Sequence, residues 1–292
     1  MTEKNKIYKG ILTQTGKKTF LQGKREDIYF ENEKIWSGYL DHWKGQSVYG
    51  RLLPQRDYED NLPIVIMWPN VPETETPFVE LYYNERLVKY PASLFGHNAI
   101  NINGNIYNFS HLLNENEIMT PEEYFYRPAL GEFAPSPVNG KFEILADGTA
   151  YYDKFGRNFM RTVHVLRIRG MDTKRLSNIL DEELEIIHNT PINPKKPEKY
   201  ADFSIFSRSC STIIRDGLRK YGLKNINGIL PRDLFVSTIF NVYKQRQDMG
   251  INLELYSMPQ LKVPESPYSV MTPLLNIKHR KQHKALIAAG LI

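Results

Sequence analysis

The sequence predicts an α+β protein in which a small β-module precedes a larger domain of antiparallel sheet packed on helices. Three observations predict it. Short runs of strand-forming residues recur between Ile7 and Pro69, broken by turns, as in a small sandwich or barrel. An Asn103-Gly104 pair sits between two alternating runs and is the strongest short hairpin signal in the chain. Apolar residues then recur at helical spacing over Asp172–His188, Ser207–Leu218 and Leu230–Tyr243. The expected organisation is a β-module at 1–70, a main domain at 71–250 and a C-terminal tail with a basic helix at 251–292.

The strands of the module are expected at Ile7–Thr13, Lys18–Leu21 across a Thr15-Gly16 turn, Asp27–Phe30, Ser47–Leu53 and Leu62–Trp68. Pro69–Pro77 is rich in proline and polar residues, and the domain boundary is placed within it. Phe78–Tyr83 reads as the first strand of the main domain. With Asn103 and Gly104 as the turn, Ile102 pairs with Asn105, Ile100 with Tyr107 and His97 with Ser110. One face of that hairpin is apolar, with Ile100, Ile102, Tyr107 and Phe109. The other gathers His97, Asn101, Asn108 and Ser110.

Further on, Thr120, Pro121 and Glu123 stand as N-cap, N1 and N3 of a short helix. A loop over Arg127–Pro137, a strand at Lys141–Leu145, an Asp147-Gly148 turn and a strand at Arg161–Ile168 follow, with His164 in a structural position on the last. Leu176, Ile179, Leu180, Leu184 and Ile187 give the next helix a single apolar side, and its acids from Asp181 to Glu185 read as a solvated face. Pro231 opens the helix after the cysteine segment. His279 and His283 have the spacing of metal ligands, but basic neighbours and the lack of a carboxylate argue against zinc. A basic helix touching an anionic surface is the expected role of that segment.

Composition narrows the function classes. The 292 residues are 41% hydrophobic, 24% charged and 12% aromatic, which suits a soluble globular protein and argues against disorder. The formal charge of +5 and a pI near 9.0 suit a cell wall, a membrane surface or nucleic acid. No basic run is interleaved with aromatics, so nucleic acid is not the expected partner. A single cysteine excludes an internal disulfide. Met1–Gly10 contains no apolar h-region, which predicts synthesis in the cytoplasm without a signal peptide.

That cysteine, Cys210, falls where a loop becomes a helix, with Ser207 or Ser209 as N-cap. Unpaired N–H groups and the positive end of the helix dipole favour its thiolate, the reactive form. A cysteine nucleophile needs a base, and the base needs a third group to hold its ring. Cys210, His97 and either Asn108 or Ser110 fit those roles, with Asn108 favoured because an amide fixes an imidazole better than a hydroxyl does. No metal motif, phosphate-binding glycine loop or Gly-x-Ser-x-Gly elbow competes, and no cofactor is implied.

Leu94-Phe-Gly-His97-Asn-Ala-Ile-Asn-Ile, its hairpin, and Phe203-Ser-Ile-Phe-Ser-Arg-Ser-Cys210-Ser-Thr-Ile-Ile resemble the two signatures of the circularly permuted papain-like superfamily. That group includes permuted NlpC-type hydrolases and lecithin:retinol acyltransferase-like proteins. Its order of histidine, polar residue and cysteine is the order here, and the resemblance covers about residues 78 to 245. It implies Cys210 as nucleophile and His97 as base, in a permuted papain-like domain. Many relatives carry asparagine directly before the cysteine, where this chain has Ser209.

The resemblance further implies a peptidoglycan peptidase or amidase, or else a lipid esterase or acyltransferase at a membrane. Joined to the missing signal, it implies an antibacterial toxin of the type VI secretion effector kind. Such a toxin acts in the periplasm of a target cell, with an immunity protein and a secretion carrier as partners. The remaining alternative is a non-catalytic binding module in which Cys210 is merely buried.

Overall fold

The computed structural model describes residues 6–57, 60–71, 77–88, 94–111, 116–128, 158–195, 200–262 and 268–292. The expected strand at 141–145, the turn at 147–148, most of the 127–137 loop and residues 72–76 of the boundary segment lie outside the described residues. The chain divides into two compact units, one built on Met1–Glu73, Pro121–Met160 and Val263–Glu265, the other on Thr74–Thr120, Arg161–Lys262 and Ser266–Ile292.

In the first unit, β1 (Tyr8–Thr15) and β2 (Lys18–Gln22) form a hairpin whose turn uses Gly16 at a φ of +59°. The short β3 (Ile28–Tyr29) and β4 (Lys34–Ile35), with β5 (Ser47–Arg56) and β6 (Pro63–Pro69), complete a six-stranded sheet in the order β3-β2-β1-β5-β6-β4. All its pairings are antiparallel except β4 with β6. Leu12, Leu21, Val48, Val65 and Met67 are fully buried.

A seven-residue helix, α1 (Ser37–Trp43), carries no helical signature of its own, since Trp36 at its N-cap makes no side-chain cap bond. Its aromatic residues hold it, with Tyr39 stacked on Trp43 at 5.4 Å between ring centres. The proline-started helix α2 (Pro121–Tyr126) belongs to this unit rather than to the main domain expected at 71–250. Arg51 on β5 pairs with Glu122 and Glu123, and Tyr39 Oη donates to the Tyr126 carbonyl. Residues 158–160 form a single 3₁₀ turn.

The second unit centres on another six-stranded sheet, antiparallel throughout. Its strands are β7 (Phe78–Asn84), β9 (His97–Ile102), β10 (Asn105–Asn108), β11 (Glu117–Met119), β12 (Val163–Arg169) and β13 (Asn252–Met258), in the order β11-β10-β9-β7-β12-β13. Two short strands, β8 (Arg86–Leu87) and β14 (Ser269–Val270), pair separately. The helices are α3 (Thr173–Asn189), α4 (Cys210–Tyr221), α5 (Pro231–Met249) and α6 (Ile277–Ala288).

The Asn-Gly hairpin has the expected register, Ile102 with Asn105 and Ile100 with Tyr107. Its apolar face joins one core with Leu176, Leu180, Leu184 and Ile187 of α3 and Ile213, Ile214 and Leu218 of α4. Periodicity therefore located the helices, and burial of their stripes against the sheet explains why they form.

Residues 252–258, expected in a partly extended tail, instead pair with β12 along seven residues. Leu274 and Leu286 also join the core, so the C-terminal segment is packed into the unit. Among the described residues no helix is long and apolar enough to cross a membrane.

Candidate active site

Cys210 is the first residue of α4, and the cap is Ser209 rather than Ser207. Ser209 and Thr212 form a reciprocal capping box in which the Ser209 N–H donates to Thr212 Oγ1 at 2.7 Å. This cap fixes the chain just ahead of the thiol. The loop before it is tied down by Arg208, which binds Glu183 of α3 at 2.7 Å and the Tyr200 hydroxyl at 2.8 Å. The first helical hydrogen bond runs from Ile213 N–H to the Ser209 carbonyl, so the N–H groups of Cys210 and Ser211 lie ahead of the helical ladder.

His97 begins β9, directly after Gly96. Gly96 adopts a φ of +77°, and a Cβ there would stand 2.5 Å from the Asn84 carbonyl oxygen. Only glycine brings the chain into the strand along that path, so the position of His97 depends on it.

The imidazole Nε2 lies 2.7 Å from Oδ1 of Asn108. That oxygen only accepts, so Nε2 carries the hydrogen and Nδ1 is the nitrogen left for sulfur. The imidazole and the Cys210 thiol interact electrostatically, each shifting the titration of the other.

Electrostatics follows the geometry. Burial by itself pushes the Cys210 thiol up, but the His97 imidazole, the Asn98 N–H and Ser211 outweigh it and bring the thiol down to about 7. Burial likewise opposes the charged imidazole of His97, yet the Cys210 thiolate and Asn108 outweigh that and raise it. The opposite directions of the two shifts have one cause, since the charged form of each group favours the charged form of the other.

A second link fixes the spacing of the pair. Ser211 Oγ donates to Asn98 Oδ1 at 2.9 Å, and Asn98 Nδ2 donates to the Tyr82 carbonyl at 2.8 Å. Asn98 and Ser211 are fully buried and are the chain neighbours of His97 and Cys210. Their bond is a strut between β9 and α4. Sequence reasoning missed both residues. Neither has a signal of its own, because the strut exists only when strand and helix are adjacent.

Of the two residues weighed for the third position, Asn108 makes the bond to His97. The expected pairing of Ser110 with His97 does not extend that far: β10 ends at Asn108, opposite Ala99. The Ser110 backbone is held instead by the Asn116 side chain, at 2.9 Å and 3.2 Å.

His164 has its own partners, Glu85 at 2.8 Å and Ser257 at 3.0 Å. His279 is buried 3.3 Å from Asp233, and no group of residues suited to a metal ion occurs among the described residues. No family model, curated protein sequence or solved structure matches the chain.

Proposed function

We propose that the protein is a cysteine hydrolase working through an acyl-enzyme, with Cys210 as nucleophile, His97 as acid and base, and Asn108 holding the imidazole. The observation that carries this reading is one imidazole held by a neutral amide oxygen at 2.7 Å and acting on a thiol that is lowered to about 7. In the first step the thiolate attacks the substrate carbonyl carbon. Charge then develops on the carbonyl oxygen, within reach of the N–H groups at the start of α4. The imidazolium gives its proton to the leaving amine as the C–N bond breaks. In the second step neutral His97 takes a proton from water, the hydroxide attacks the thioester, and the thiolate is regenerated.

The substrate class proposed is the amide bonds of peptidoglycan stem peptides. It is supported by the likeness of the His97 and Cys210 segments to permuted papain-like hydrolases and by the basic balance of the chain. In this reading the second unit is a permuted papain-like domain, and the protein is a toxin delivered to the periplasm of a target cell by a secretion carrier. A cognate immunity protein would guard the producer.

The test is incubation of wild type and Cys210→Ala with purified sacculi, products read by mass spectrometry. Muropeptide fragments released by wild type alone support the reading. If neither protein releases fragments, the substrate assignment is lost. A Cys210 that resists a thiol-reactive probe at neutral pH removes the catalytic assignment as well and leaves a binding module.

A second reading keeps the chemistry and replaces the amide with a lipid ester. It is favoured by the basic helix α6 at the end of the chain. Vesicles incubated in parallel, analysed for lysolipid or transferred acyl chains, separate it from the first.

A further inference from the structure

Helix α6 packs by one narrow seam. His279, Gln282 and Leu286 are its buried residues, following each other at helical spacing, and His279 faces Asp233 of α5 at 3.3 Å. The outward side of the helix has a separate character. Ile277 is 67% exposed and Ile287 52%, with Leu275 just ahead of the helix 54% exposed. Lys278, Arg280, Lys281 and Lys284 are all exposed among them. From residue 266 to residue 292 the chain contains no aspartate or glutamate.

Along this side runs an open groove of about 480 Å³, lined by Phe240 of α5 and by Ile277, Lys278, Lys281, Gln282 and Ala285 of α6. A third ammonium borders it, since Lys244 Nζ stands 4.4 Å from the centre of the Phe240 ring. Gln282 is 5% exposed, and its Oε1 is buried with no hydrogen-bond partner.

We infer that this groove and the outward side of α6 dock on an anionic phospholipid surface, with Lys244, Lys278 and Lys281 on lipid phosphate and the Phe240–Ile277 trough against acyl chain. The argument is charge complementarity joined to apolarity. A phosphate beside a hydrocarbon chain is the chemistry that ammonium groups around an apolar trough recognise, and an acid-free segment offers nothing that repels it. Exposed Leu275, Ile277 and Ile287 supply the side chains that enter the interface. This docking surface uses none of the residues placed at the thiol, so it stands whether the substrate is peptidoglycan or lipid.

Sedimentation with vesicles tests it, using full-length Cys210→Ala protein so that no lipid is consumed. Binding is expected to vesicles of phosphatidylcholine containing about one-third phosphatidylglycerol, to be weakened by salt, and to be absent with phosphatidylcholine alone. Each lysine near an anionic surface is expected to contribute about fivefold, so Lys278→Gln with Lys281→Gln should weaken binding roughly twenty-five-fold. Ile277→Ser should weaken it about tenfold by removing buried apolar surface.

Lys244→Gln lies on α5 and leaves α6 unaltered. Its expected fivefold loss keeps the test decisive if the α6 variants do not fold. Equal sedimentation with neutral vesicles overturns the inference, as does unchanged affinity on removing the lysines. Binding of soluble polyphosphate as tightly as vesicles, insensitive to Ile277→Ser, overturns it in favour of a polyanion site.

Discussion

Two histidines enter the same sheet one residue apart in register and are put to different use. His97 on β9 stands opposite Asn84 of β7, and His164 on β12 stands opposite the adjacent Tyr83. Each ring lies between an oxygen acceptor and a residue type that can serve as a nucleophile. For His97 these are the Asn108 amide and the Cys210 thiol; for His164 they are the Glu85 carboxylate and the Ser257 hydroxyl. The His164 ring is also stacked on Tyr83 at 5.7 Å, and Glu85 accepts a second bond from Ser269 at 2.7 Å.

The difference lies in the partners. Burial works against the Glu85 charge, but His164, Ser269 and Arg232 outweigh it and hold that carboxyl below the usual 4.5. The His164–Glu85 bond at 2.8 Å and the Ser269–Glu85 bond at 2.7 Å are links between chain segments. Ser257 lies within β13 rather than at the start of a helix, and a serine hydroxyl is far less acidic than a thiol. Cys210 opens a helix, and its thiol is lowered by a ring that a neutral amide holds. The acidity of the nucleophile and the N–H groups around it separate the two clusters.

The sharpest way to break the contrast is to remove each candidate nucleophile. Cys210→Ala should reduce hydrolysis of sacculi by at least about a thousandfold, whereas Ser257→Ala should leave the rate within about twofold. Comparable losses in both would erase the distinction.

Replacing the rings comes next. His97→Gln should cost roughly a hundredfold or more in hydrolysis. It should also return the Cys210 thiol from about 7 towards the ordinary value of about 8.5, because the imidazolium that favours the thiolate is gone. Iodoacetamide labelling followed against pH reads this directly. Wild type should gain reactivity around neutrality and the variant only at alkaline pH, while His164→Gln should keep the wild-type profile.

The strut gives a smaller effect. Asn98→Ala leaves Ser211 Oγ without its buried acceptor, for which a loss of about 1–3 kcal/mol in denaturant unfolding is expected. Ser211→Ala should cost a similar amount and move the labelling profile slightly towards alkaline pH. A stability loss with no change in labelling would make the strut purely structural.

The smallest effect concerns Glu85. Its folded carboxyl is held below the usual 4.5, so the stability it contributes is present above that value and fades as pH falls through the folded one. Glu85→Gln should lower stability by about 1 kcal/mol at neutral pH, and the gap to wild type should close under acid. Melting temperature followed from neutral to acid pH checks the sign.

How far the sequence could be read depended on where each signal resides. The hairpin register came from two residues, because Asn103 and Gly104 both take the positive φ that the turn requires. The stripe of α3 came from spacing alone, and so did that of α4. By contrast α1 carries no capping signature and is fixed by aromatic packing, while β13 has polar alternation that also suits an exposed tail. The grouping of 121–126 with the first unit depends on Arg51 and Tyr39, far away in sequence.

The candidate site divides in the same way. The sequence by itself determined that one cysteine opens a helix, that a histidine heads a hairpin strand and that an asparagine follows on its partner, since capping, turns and alternation are local rules. Only the tertiary structure decided that His97 meets Cys210, that Asn108 rather than Ser110 holds the ring, and that Asn98 and Ser211 set the distance. Those choices depend on a strand and a helix 113 residues apart being packed side by side, and no local rule specifies that contact.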